Sequence, residues 1–127
     1  SHPKLFRKVA NHIVALGMST ELNPQDLSNM AWAFATANES HPLFFQKVAD
    51  YIIALDNLGS FKPQNFANIT WAFATMKESH PGLFRKIGDA AIKTRTEFNS
   101  QETANFLWAY ATNGKIDQHM FSSLVPT

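Results

Sequence analysis

The chain contains no cysteine, so disulfides and thiolate chemistry are excluded and no redox compartment is indicated. It also lacks an excess of either charge. Eleven lysines and arginines against ten acids leave a formal net charge of +1. A strongly basic nucleic-acid binder is not indicated by that total, so any such role needs a local patch. No apolar run reaches the roughly 18 residues of a membrane span. No signal or transit segment is visible, and there is no glycine-rich phosphate loop. No cluster sets a nucleophile beside a base and an orienting group, so the reading is of a non-enzyme. His2, His41 and His80 recur one per unit at helix starts, while His12 and His119 are isolated. No metal or cofactor is expected from that spread. What the sequence does have is 45% hydrophobic residues in 127, enough for a core and against disorder.

Those residues are arranged periodically. Trp32-Ala33-Phe34-Ala35-Thr36 returns 39 residues later as Trp71-Ala72-Phe73-Ala74-Thr75, and 37 residues after that as Trp108-Ala109-Tyr110-Ala111-Thr112. Ser1-His2-Pro3, Ser40-His41-Pro42 and Ser79-His80-Pro81 keep the same phase. So do Leu22-Asn23-Pro24-Gln25, Phe61-Lys62-Pro63-Gln64 and Phe98-Asn99-Ser100-Gln101. Self-similarity at this period marks a solenoid. The predicted fold is all-α: one helical-repeat domain over 1–127, with units 1–39, 40–78 and 79–115. A partial fourth unit, 116–127, starts at Ile116, with Phe121 in phase with Phe84. Because the sequence starts at Ser and stops inside a unit, the expectation is a fragment of a longer array.

Each unit reads as two helices, A then B. In unit two Phe45, Val48, Ala49, Ile52 and Leu55 make an apolar stripe at helical spacing, opposite Gln46, Lys47 and Asp50. Pro42 suits a first turn, with Ser40 the better capping type beside His41. Helix B starts with Asn23 as cap, Pro24 and an acidic Asp26. Leu22 on Leu27 and Phe61 on Phe66 make hydrophobic staples, which Thr103 weakens in unit three. Helix B buries Leu27, Met30, Ala31 and Phe34, and ends near Asn38, Lys77 and Gly114. Ala33, Ala35 and their counterparts keep one side of it thin, and the tryptophans read as core between repeats.

Phase also sorts the polar residues. Lys8, Lys47 and Lys86 would form a ladder of positive charge on helix A, flanked by Arg7 and Arg85. Phosphate contacts along an extended single strand are one reading. Salt bridges to Asp50 and Asp89, three residues on, are the other. Asn11, Gln46, Asp50 and Asp89 are candidates for reading base edges. On helix B, Gln25 and Asn29, Gln64 and Asn68, and Gln101 and Asn105 share a face with the tryptophans. Asparagine in a helix interior is unfavourable, so three in phase need a reason. That reason is either an amide ladder joining repeats or hydrogen bonds to a strand in the groove.

The string Asn23-Pro24-Gln25-x-Leu27-x-Asn29-x-x-Trp32-Ala33-Phe34-Ala35 resembles the signature of octotricopeptide repeats. Unit two is similar over Pro63-Gln64-x-Phe66-Ala67-Asn68-x-x-Trp71-Ala72, whereas unit three departs at Ser100 and Thr103. Heptatricopeptide-like and FAST-kinase-like repeats are close cousins. The resemblance implies an α-solenoid that binds single-stranded RNA in a chloroplast or mitochondrion, acting on RNA stability, processing or translation. A protein-docking solenoid or structural spacer is the alternative, and end-to-end self-association of the fragment is a further expectation.

Overall fold

The structure is a computed structural model that describes residues 4, 5, 7, 8, 11, 12, 22–115 and 118–125. Ser1-His2-Pro3 and Ile116 lie outside the described residues. Lys4, Leu5, Arg7, Lys8, Asn11 and His12 are helical. Then come α1 (Pro24–Thr36), α2 (Pro42–Ala54), α3 (Pro63–Thr75) and α4 (Pro81–Lys93). A 3-10 turn over Arg95–Glu97 leads to α5 (Ser100–Thr112) and the short α6 (Gln118–Leu124). No described residue is in a strand, so the fold is an all-α helical-repeat arrangement. The helices α1, α3 and α5 are the B helices, and α2 and α4 are A helices.

The starts of these helices follow the proline boxes. Asn23 accepts from the Asp26 amide at 2.7 Å. Asn99 accepts from the Glu102 amide at 2.8 Å, and Glu102 returns the bond to the Asn99 amide at 3.0 Å. Lys62 has no oxygen to offer, so only the return half exists there: its amide donates to Asn65 Oδ1 at 2.9 Å. Capping of α2 falls to His41 rather than Ser40. His41 Nδ1 accepts from the Phe44 amide at 3.2 Å, which leaves Nε2–H to donate to Asn11 Oδ1 at 3.1 Å. One imidazole therefore closes its own helix and ties it to the preceding A helix.

The B helices stop alike. Asn38, Lys77 and Gly114 have φ of 56°, 57° and 66°, the left-handed residue that follows a helix. The amides of Glu39, Glu78 and Lys115 then reach back to the carbonyls of Phe34, Phe73 and Tyr110 at 2.8–2.9 Å. A Cβ at Gly114 would meet no atom within 4 Å, so substitution there is a pure test of backbone strain. Gly114→Ala is expected to lower stability by about 1 kcal/mol, read from the denaturant midpoint at constant slope.

Burial divides each B helix into four faces. Leu27 and Phe34 point to the A layer. Met30 and Ala33, with Ile69, Ala72, Phe106 and Ala109, face the preceding repeat; these are half-buried in α1 and buried in α3 and α5. Ser28, Ala31 and Ala35 face the following repeat, as do Ala67, Thr70 and Ala74; all six are buried, but in the third-unit set Ala104 and Ala111 are exposed and Leu107 is half-buried. The alanines thus thin both flanks of helix B, not one side. As a result α1, α3 and α5 pack side by side along their length, while α2 and α4 touch over a shorter stretch. A two-layer stack bends toward its more closely spaced layer, which puts helix B on the inside.

Between the layers runs an aromatic core. Phe34 stacks on Phe44 with centroids 4.2 Å apart, Phe44 meets Phe45 edge-on, and Phe45 meets Phe73 edge-on at 5.0 Å. Phe61 stacks on Phe66 at 5.7 Å as the staple predicts. Where Thr103 replaces the apolar partner, Phe98 packs on Phe106 instead, at 5.5 Å. Tyr110 stands in phase with Phe34 and Phe73; its buried hydroxyl donates to the Phe84 carbonyl at 2.6 Å. Burial, helped by the charge of Asp89, pushes that phenol well above its ordinary pKa, so it remains a donor.

Candidate functional site: the outward face of the B helices

At about 100° per residue, Gln25, Asn29, Trp32 and Thr36 fall on the side of α1 opposite Leu27 and Phe34. The same holds for Gln64, Asn68, Trp71 and Thr75 in α3, and for Gln101, Asn105, Trp108 and Thr112 in α5. Stacking of the B helices brings the three sets into adjacent rows. Gln25, Asn29, Gln64, Gln101 and Asn105 are exposed and Asn68 is half-buried. The amides do not join neighbouring repeats. The bond seen lies within one helix, Gln25 Nε2 to Asn29 Oδ1 at 2.8 Å. Between rows two and three lies a polar groove of about 300 Å³, lined by Gln64, Asn68, Asn99, Gln101, Glu102 and Asn105. Side-chain amides there can both donate to and accept from a ligand.

The tryptophans depart from the sequence reading. Trp32 and Trp108 are each 47% exposed, and Trp71 alone packs against the core as a half-buried residue. Alanines at both flanks let the helices close up beneath the indoles, leaving Trp32 and Trp108 on the surface. Fixed phase signalled a common role but could not say whether that role was burial.

The A-layer candidates are spread out. Lys86 donates to the carbonyl oxygens of Ile53, at 2.7 Å, and Leu55, thereby satisfying the C-terminal end of α2. Those carbonyls have no partner within their helix and carry its negative dipole end, which suits an ammonium. Lys47 is half-buried at the same phase, and Val14 and Leu16, the counterparts of Ile53 and Leu55, lie outside the described residues. Lys8 and Arg7 are exposed. The row is therefore not a uniform ladder of free cations. Nor do Asp50 and Asp89 pair with their own lysines: among the described residues the one carboxylate within reach of a basic side chain is Glu78, 3.2 Å from His80 Nε2. Asp50 accepts from Gln46 Nε2 at 2.8 Å, Asn11 is held by His41, and Arg85 and Asp89 are exposed on α4. These four proposed base readers and Arg85 lie on the A layer, away from the amide and tryptophan rows.

Among the described residues no group of three or more His, Asp or Glu is placed to hold a metal ion. No described helix is long and apolar enough to cross a membrane. Comparison with family models, curated proteins and solved structures returns no match.

Proposed function

We propose that the outward face of the B helices binds single-stranded RNA, with bases stacked on the indoles and their edges met by the Gln and Asn amides. The observation that carries this reading is the exposure of Trp32 and Trp108 in line with in-phase amides on the more closely spaced layer. Indoles left half-open in rows one and three suit a flat π-surface, and stacking tolerates any base. The resemblance to octotricopeptide repeats points the same way and adds the organelle setting.

The in-phase residues of the face carry no charge, and the groove beside them holds one acid, Glu102. None of its twelve residues is Lys or Arg. Affinity on this reading comes from stacking and amide bonds, and with no cation on the face to neutralise phosphates and release counterions the salt dependence is shallow. The test is the affinity for single-stranded RNA as a function of salt, for the parent chain and two variants. Asn68→Ala with Asn105→Ala is expected to weaken binding roughly tenfold. Lys86→Met is expected to leave the slope unchanged while lowering the thermal midpoint, because its loss strips the α2 carbonyls. Absence of RNA binding by the parent chain would remove the proposal. A face without a cation favours one second reading, an extended peptide whose backbone amides pair with the asparagines, and retained peptide binding without RNA binding would select it.

A further inference from the structure

We propose that the junction of α4 and α6 binds a phosphate group. A cavity of about 300 Å³ opens there, with Arg85, Lys115 and His119 among its lining residues and Phe84, Tyr110 and Met120 supplying apolar surface. The three basic side chains come from three different segments: α4, the link between α5 and α6, and α6. None has a side-chain hydrogen bond or ion pair among the described residues. Lys86 and Arg95, by contrast, place their cations on backbone carbonyls. Asp89 is the single acid among the described lining residues. Asp117, two residues before His119, lies outside the described residues.

Phase shows that packing does not require this charge. Lys115 stands where the earlier units have Glu39 and Glu78. His119 stands where they have Leu43 and Gly82, and Arg85 where unit two has Gln46. The preceding junction therefore presents Gln46, Glu78 and Gly82 at the same three positions, and Glu78 there is paired with His80. Unit one also has an arginine, Arg7, at the first of these positions, but with Glu39 and Leu43 at the other two; two permanent cations together occur at the last junction alone, which is a local specialisation. An arginine and a lysine lining one concavity supply a guanidinium fork and an ammonium, the donors that match the oxygens of a phosphate. The apolar surface is fixed from below: a Cβ at Gly88 would come within 2.9 Å of Met120 Cε, so the bare glycine lets α6 sit close. Tyr110 keeps its hydroxyl on the Phe84 carbonyl and out of the contact. This site is separate from the tryptophan face, and its test does not depend on RNA binding there.

The experiment is a titration of the ¹⁵N-labelled chain with inorganic phosphate, against chloride at matched ionic strength, followed by NMR. Saturable shifts at the Lys115 and His119 amides and the Arg85 guanidinium are expected in the millimolar range. The variants are R85Q, which changes an exposed side chain, and R85Q combined with K115E, which installs the unit-two residues. Each is expected to weaken phosphate at least roughly tenfold with an unchanged helical spectrum. Tighter binding of 5′-phosphorylated than of 5′-hydroxyl oligonucleotides would assign the site to an RNA end. Equal binding, with the phosphate response intact, would assign it to small phosphate compounds. A linear, unsaturable response, or one retained in R85Q, would overturn the proposal.

Discussion

Replacing Trp32 and Trp108 together by alanine is expected to weaken single-stranded RNA binding at least roughly 30-fold, since each stacked base contributes about 1–3 kcal/mol. These two positions are the informative ones because their rings are half-exposed, whereas Trp71 also packs against the core. Phenylalanine at both sites keeps a π-face and is expected to recover part of the affinity, which plain loss of surface area would not explain. Fluorescence supplies an independent readout: bound RNA should quench indole emission in the parent chain, and less in the double variant. Unchanged affinity in the alanine variant would take the indoles out of the interface and leave the amides to account for binding alone.

The largest stability effect is expected at Phe44. Its ring is fully buried, stacked on Phe34 of the preceding unit and edge-on to Phe45. Phe44→Ala removes the ring on which units one and two meet, at a cost of about 3–5 kcal/mol. Repeat arrays hold together by nearest-neighbour interfaces, so the damage should be local. Amide exchange measured by NMR is expected to accelerate in α1 while α5 keeps its protection. Uniform loss of protection across both helices would show that the array unfolds as one cooperative block.

Much of this architecture was legible in the sequence, for identifiable reasons. The cap Asn23, the Pro63 start, the Phe61–Phe66 staple and the stops at Asn38, Lys77 and Gly114 depend on residues within a few positions of one another. Local chemistry dictates them. Phase comparison also placed Gln25, Asn29 and Trp32 on one face. Contacts across repeats were not legible. Lys86 reaches carbonyls more than 30 residues back, and His41 spans to Asn11 while capping its own helix. A pattern that repeats every unit cannot separate a residue bonded to the next unit from one offered to a ligand. That ambiguity misdirected the reading of the lysines and tryptophans in opposite senses. Lys86 reads as a phosphate contact or a partner of Asp89 and instead holds backbone carbonyls; Trp32 and Trp108 read as core and stand half in solvent.

The alanine seam has a mechanical consequence. Small side chains bring α1, α3 and α5 into contact along their whole length, while the outer helices meet over less of theirs. Load applied along the stack will therefore open the outer layer first and leave the inner one nearly inextensible. The array should flex like a hinged strip, changing curvature while the distance between successive tryptophans stays fixed. A flexible body with a constant internal pitch can follow a bent strand without losing register.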